Sequence, residues 1–168
     1  MRLVEQHVIR KDDPRFAQLD DAAFASKNLW NLANYYVRQS FIFDHKYLNN
    51  TQVYRLVKSS DAYKALPAKV SNQVLIQLHK AWVAFFEAMQ EWREHPEKFL
   101  GRPNLPKYKH KTKGRNLLVY EKGAISKRAL KRGRISLCAL GELVPTKQRK
   151  EAVVQARVVP RATQYVIE

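Results

Sequence analysis

Cysteine is nearly absent from this sequence. Cys138 is the only one in 168 residues, so no disulfide can close within the chain and no cysteine-based zinc site can form. That fits a reducing compartment. Long apolar runs are absent too. No stretch approaches the roughly 20 apolar residues that a membrane-spanning helix needs. The first residues, Met1-Arg2-Leu3-Val4-Glu5-Gln6-His7, lack the apolar core of a signal peptide. The expectation is a cytoplasmic, nucleoid-associated protein with no membrane partner. Glycine is sparse. The five glycines spell neither G-x-x-x-x-G-K-S/T nor G-x-G-x-x-G, so no phosphate-cradling loop announces itself. No two of His7, His45, His79, His95 and His110 are four residues apart, and no metal or other cofactor is expected. No nucleophile–base signature stands out.

Acid is scarce in one part of the chain. Residues 1–100 carry 14 Lys/Arg against 11 Asp/Glu, a net of +3, whereas residues 101–168 carry 17 against 4, a net of +13. A near-neutral part followed by a strongly basic one suggests a scaffold joined to a polyanion-binding surface. Glu121, Glu142, Glu151 and Glu168 are the only acids in the basic part, and nothing groups them. Two-metal nuclease chemistry needs grouped carboxylates, so the chain is expected to bind and not to catalyse. The basic part also lacks an amphipathic helix with a Trp/Leu face, which favours nucleic acid over lipid as the polyanion.

The chain is organised around residues 66–115. Val70, Val74, Leu78, Ala81, Phe85, Met89 and Trp92 recur at three- and four-residue steps, with no Gly or Pro between Pro67 and Pro96. This spacing predicts one long amphipathic helix, with Pro67 in its first turn and Pro96 ending it. Lys69, Asn72, Gln73 and Gln77, with Lys80 further on, lie off the apolar stripe. Asn and Gln fit adenine edges, and Lys fits phosphate or guanine. Residues 101–115 are different in kind. Arg102, Lys107, Lys109, Lys111, Lys113 and Arg115 stand there with two prolines and no acid. Prolines favour an extended rod, and cations on alternate residues suit a phosphate backbone. A solvated basic linker is the plainer alternative.

The flanks supply the remaining elements. Arg2 to Arg10 alternates like a strand, but its partners can come only from beyond residue 115. The helices therefore read as an insertion in a β domain. Asp12-Asp13-Pro14 predicts a helix start, with a stripe from Phe16 to Val37 running on to about Phe43. Asp20 and Asp21 are expected to complement the helix dipole. Thr51 to Ser59 predicts a short helix with Val53, Leu56 and Val57 inward. Strands are expected at 116–120, 135–140, 152–159 and 164–167, with Gly141 and Pro145 as punctuation. Lys127, Arg128, Lys131 and Arg132 form a second basic cluster that ends in a turn. About five strands with short connections suit a small barrel or curled sheet. Trp30, Tyr35, Tyr36, Trp82, Phe85, Phe86 and Trp92 read as core, while Tyr108 and Tyr120 are placed to stack on bases.

Several blocks carry a resemblance. Ser26-Lys27-Asn28-Leu29-Trp30-Asn31-Leu32-Ala33-Asn34-Tyr35-Tyr36-Val37-Arg38-Gln39, Leu66-Pro67-Ala68-Lys69-Val70, Ala81-Trp82-Val83-Ala84-Phe85-Phe86, Gly101 through Lys109, and Val158 through Glu168 resemble, in order, the N-terminal half of the TnpB/OrfB proteins of insertion sequences. The resemblance implies an α+β fold: a wedge-type β-barrel, residues 1–10 and 116–168, interrupted by a helical, helix-turn-helix-like recognition bundle, residues 11–100, with 101–115 as connector. It implies a putative transposase related to RNA-guided DNA nucleases. This half would hold a guide-like non-coding RNA and read the motif flanking the target DNA near Lys69, Asn72, Gln73 and Tyr120. The family's catalytic acids lie in a RuvC-like domain beyond the last residue here, which implies a truncated gene, a fragment or an isolated domain without nuclease activity of its own. Three rivals remain at the level of sequence: a helix-turn-helix DNA-binding regulator, a stand-alone RNA-binding protein, and a docking module for a separately encoded nuclease half.

Overall fold

A short strand, β1 (His7–Arg10), leads into a long helix, α1 (Phe16–Phe43). The computed structural model describes residues 4–148 and 153–168, so the first residues of the expected 2–10 strand and residue 152 lie outside them. Within the described residues the pairing begins only at His7. The acidic start of α1 works differently from the expectation. Asp13 accepts from the backbone N–H of Arg15 at 2.9 Å, and its carboxylate also holds the Arg15 guanidinium. Pro14 therefore sits in the entry turn, before the helix rather than inside it.

Three further helices follow. α2 (Asn50–Val57) opens on a reciprocal cap: Asn49 accepts from the Gln52 N–H, and the Gln52 side chain accepts from the Asn49 N–H. α3 (Asp61–Lys64) is a single turn capped by Ser60. α4 (Ala68–Glu94) is the predicted long helix. Pro67 stands one position ahead of it, and Pro96 opens the short 3-10 turn Pro96–Lys98 that closes it. Leu56 does not face the core as expected. It is 47% exposed, whereas Val53 and Val57 are buried.

The basic part adds β2 (Leu118–Glu121), α5 (Lys127–Lys131), β3 (Arg134–Leu137), β4 (Gly141–Pro145), β5 (Gln155–Pro160) and β6 (Gln164–Ile167). The second basic cluster thus forms a capped helix, α5, with Ser126 accepting from the Ala129 N–H. Gly133 just beyond α5 has φ +68° and closes it through an N–H bond to Leu130 O, a left-handed position suited to glycine. Gly141 and Pro145, which read as punctuation in the sequence, bound β4. They are its two ends, and Leu143 and Val144 between them are buried.

The strands form two antiparallel sheets. The larger has the order β1-β6-β5-β2, with His7 opposite Ile167, Val158 opposite Ile167 and Leu118 opposite Val158. β3 and β4 form a separate ribbon. Among the described residues β1 and β2 are free edges of the larger sheet, so the hydrogen bonding does not close into a barrel. The fold is α+β, with all four long or short helices of residues 16–94 falling between the edge strands β1 and β2. α1 packs against β2, β5 and β6, and α4 against β2. One apolar cluster runs through both parts, including Leu19, Val74, Trp82, Val158 and Tyr165.

Candidate nucleic-acid interface

Residues 102–110 have no regular secondary structure, yet from Pro106 onward they are tied to α1. One face of α1 supplies the donors. The Asn34 amide and the Arg38 guanidinium both donate to Pro106 O, at 2.9 and 3.0 Å. The Trp30 indole donates to Lys107 O at 3.2 Å, and Lys27 Nζ to Lys111 O at 2.5 Å. Asn31 takes both backbone groups of Lys109, donating to its carbonyl and accepting from its N–H. Residues 27, 31, 34 and 38 recur at helical steps, so they lie along one side of α1. The segment is a strap whose carbonyls turn toward that helix. The carbonyls of residues 106, 107, 109 and 111 and the N–H of Lys109 are thereby bonded, and Lys107, Tyr108 and Lys111 remain exposed.

The strap is shorter than the alternating rod expected from sequence. It turns at residues 111–113, where the His110 ring accepts from the N–H groups of Thr112 and Lys113 and Gly114 N–H donates to His110 O. Lys113 is exposed but lies in the turn. Arg115 is half-buried and grips Asp20 with two bonds, at 2.7 and 2.6 Å. It also donates to Thr112 O and Gly114 O, so it fastens the turn rather than presenting a free cation. Arg102 is exposed at the start of the strap.

Cations of the strap region pack on aromatic faces. Lys109 Nζ lies 4.9 Å from the Trp30 ring centre, and the Arg38 guanidinium lies 5.1 Å from that of Tyr108. Burial pushes the Lys109 amine below its usual pKa. Lys27 is more deeply placed, 2% exposed with its amine 3.7 Å from the Phe24 ring. Burial and then the nearby Arg115 charge lower its pKa as well. Asp20 was expected to serve the α1 dipole. It lies beyond the first turn and instead joins Arg115 to the Tyr165 hydroxyl, which donates to it at 2.6 Å. The hydrogen bond from Arg115 is the main reason its carboxyl is held below the usual range.

The exposed side of α4 divides into two kinds of residue. Asn72 and Gln73 face outward near its start, Asn72 exposed and Gln73 half-buried. Asn72 accepts from the Tyr63 hydroxyl at 2.8 Å, which leaves its NH₂ and one lone pair for another partner. Lys69 is exposed and donates to Gly123 O at 3.0 Å, while Lys80 is exposed further along. Gln77 is committed to the fold. Its amide bridges Leu117 O and the buried Asn116 side chain, pinning α4 to the approach of β2.

Tyr120 cannot be a stacking surface. It is 1% exposed, with its hydroxyl pKa driven up by burial. Both faces of β2 are covered, since Leu118, Val119 and Tyr120 are all buried. Tyr35 reverses the other way and is 49% exposed, although it was read as core. On α5, Lys127, Arg128 and Lys131 are exposed, whereas Arg132 pairs with Glu142 of β4.

Spacing did not single out Arg157 and Arg161. With Lys109 and Arg115 they line an open cleft of about 530 Å³ between the strap and the β5–β6 turn. They lie more than 40 residues from the strap in sequence, and only the net charge of the basic part pointed toward them.

The geometry therefore defines an α+β chain with a cationic strap fixed on a helix and a basic cleft beside it. The chain matches no model of a known protein family and no curated protein sequence. No helix among the described residues is long and apolar enough to cross a membrane.

Proposed function

We propose that the chain is the nucleic-acid-recognition half of a transposon-associated, RNA-guided DNA nuclease of the TnpB/OrfB kind. In this reading the open sheet and the β3–β4 ribbon stand for the wedge-type barrel, and α1–α4 are the inserted recognition bundle. The strap carries the proposal. Its carbonyls are tied to α1, so Lys107 and Lys111 are presented from a rigid path at little further ordering cost on binding. Exposed lysines on such a path suit the phosphates of a guide-like RNA. Asn72 and Gln73 are the candidate readers of the DNA motif, because base-edge contacts specify while phosphate contacts position. These residues bind and do not cut.

The test is to purify the chain, sequence the nucleic acid that accompanies it, and titrate its binding against salt. Structured RNA bound with a steep salt dependence is expected. Failure to bind either RNA or DNA at low salt overturns the reading. A second reading, the helix-turn-helix regulator, is favoured by α3, the Leu66-Pro67 turn and the outward amides early in α4. Selective duplex DNA binding with no associated RNA would decide for it.

A further inference from the structure

We propose that the cleft between the strap and the β5–β6 turn seats one phosphodiester group of a nucleic-acid strand, held by Lys109 from one side and Arg161 from the other. The inference rests on the nucleic-acid reading above and names a place for it that no sequence pattern indicated.

The charges in the cleft are not equivalent. Arg115 is fully engaged with Asp20 and two carbonyls. Arg157 is paired with Glu168 at 2.5 Å. The other carboxylate oxygen of Glu168 accepts from Gln6 at 3.1 Å, so the one acid of the cleft is already occupied. Lys109 and Arg161 are left, with no carboxylate partner among the described residues. Lys109 is partly desolvated against Trp30. Arg161 is exposed, and its backbone N–H donates to Gln164 O, which fixes the turn that carries it. Both residues line the same open cleft. An anion seated between two cations without carboxylate partners gains from both.

The form of the cleft selects the anion. It is open to solvent, and Leu117, Val159 and Pro160 give it a small apolar floor. No aromatic residue lines it, so it offers no stacking surface for a base. It adjoins the strap, where Lys107 and Lys111 are exposed. A chain that carries a charge at each step can lay one phosphate here and pass its neighbours along those lysines. A free phosphate ion would satisfy the same two cations but would gain nothing from the strap.

Arg161→Gln is the primary variant, since its exposed side chain makes no hydrogen bond or ion pair among the described residues. Lys109→Gln and the double variant accompany it. Lys64→Gln, an exposed charge on α3 with no place in the cleft, is the control for net charge. Binding of a labelled mixed-sequence RNA is followed by anisotropy over a range of NaCl, with folding checked by circular dichroism. Each single variant should weaken binding several-fold and flatten the log–log salt slope by about 0.7–0.9, the share of one phosphate. The double variant should lose no more than that one share, because both side chains serve the same group. Lys64→Gln should keep the parental slope. An unchanged slope in Arg161→Gln and Lys109→Gln, with Lys107→Gln still lowering it, overturns the cleft and leaves the nucleic-acid reading standing. Absence of RNA and DNA binding by the parent overturns both. If inorganic phosphate at matched ionic strength shifts the Arg161 side-chain NMR signals while Arg161→Gln leaves the RNA slope intact, the cleft is a phosphate-ion site and the proposal fails.

Discussion

Asn34 accepts from the Trp82 indole at 3.0 Å and donates to Pro106 O at 2.9 Å, and it is fully buried. One side chain thereby links α4, α1 and the strap. Asn34→Leu keeps the branch at Cγ but, with two methyls in place of the amide, leaves the Trp82 N–H without this partner. An orphaned buried polar group costs about 1–3 kcal/mol, and a loss of that order is expected in urea unfolding. A loss under about 0.5 kcal/mol would mean that the neighbourhood rearranges to replace the bond. Asp20 belongs to a second such junction, with Arg115 and Tyr165. Its folded carboxyl binds a proton less tightly than the unfolded one. The stability it contributes is therefore complete above the unfolded value, about 3.9, and is lost as pH falls through the lower folded value. Asp13, brought to about 2 by Arg15, acts in the same direction. Asp20→Asn should lower stability at neutral pH by about 1.5–3 kcal/mol, the range for hydrogen bonds to charged groups. The difference from the parent should shrink below about pH 4. A difference that persists undiminished at pH 2 would assign the effect to packing instead.

At the scale of elements, the strap depends on its closing turn. A Cβ on Gly114 would meet His110 O at 2.5 Å and His110 N at 2.9 Å. Both are backbone atoms, so the turn itself must move. Gly114→Ala should destabilise by about 1–3 kcal/mol, the usual cost of overpacking, and should disturb amide NMR signals at 109–115 more than those of α2. The exposed strap lysines predict something separate. Replacing Lys107, Lys111 and Lys113 with Gln should flatten the salt slope by roughly 1–3 units, at about 0.7–0.9 per phosphate, without changing stability. A parental slope would show that the strap is only a structural tie. On α4, Gln73→Ala should relax preference at one position of the flanking motif, a change of about 1–3 kcal/mol, while bulk affinity holds. A randomised flanking library read with a nuclease half present measures this, and an unaltered motif removes Gln73 as a reader.

At the scale of the molecule, the helices of residues 16–94 are held between the two edge strands of one sheet, and the helical and sheet cores are continuous. Mutations deep in α1 or α4 should therefore unfold the sheet as well, in one transition seen alike by near-UV aromatic signals and by far-UV circular dichroism. Two separated transitions in Asn34→Leu would show that the parts fold independently. Nuclease activity belongs to this scale as well. The chain alone, with Mg²⁺ and RNA, should leave target DNA uncut. Cleavage by clean protein that is lost on mutating one of its own acids would reverse that part of the proposal.

Periodicity alone determined α1, α2 and α4, because a helix buries a face that repeats over many residues and needs no distant partner to be recognised. The need for strand partners beyond residue 115 followed from the same local accounting, since β1 cannot satisfy its own backbone groups. The charge asymmetry also belonged to the sequence, because net charge does not depend on folding. Only the tertiary structure decided which cations are available. Arg115 and Arg132 have the composition of binding residues, yet each is paired with an acid: Asp20, 95 residues away, and Glu142, 10 residues away. Tyr120 looks like a stacking residue in a basic context and is buried in the fold. Arg157 and Arg161 carry no local signal, and they meet Lys109 only because β5 and its turn come to rest beside the strap. Pairing and exposure depend on what the fold brings within a few ångströms, and a linear spacing does not record that distance.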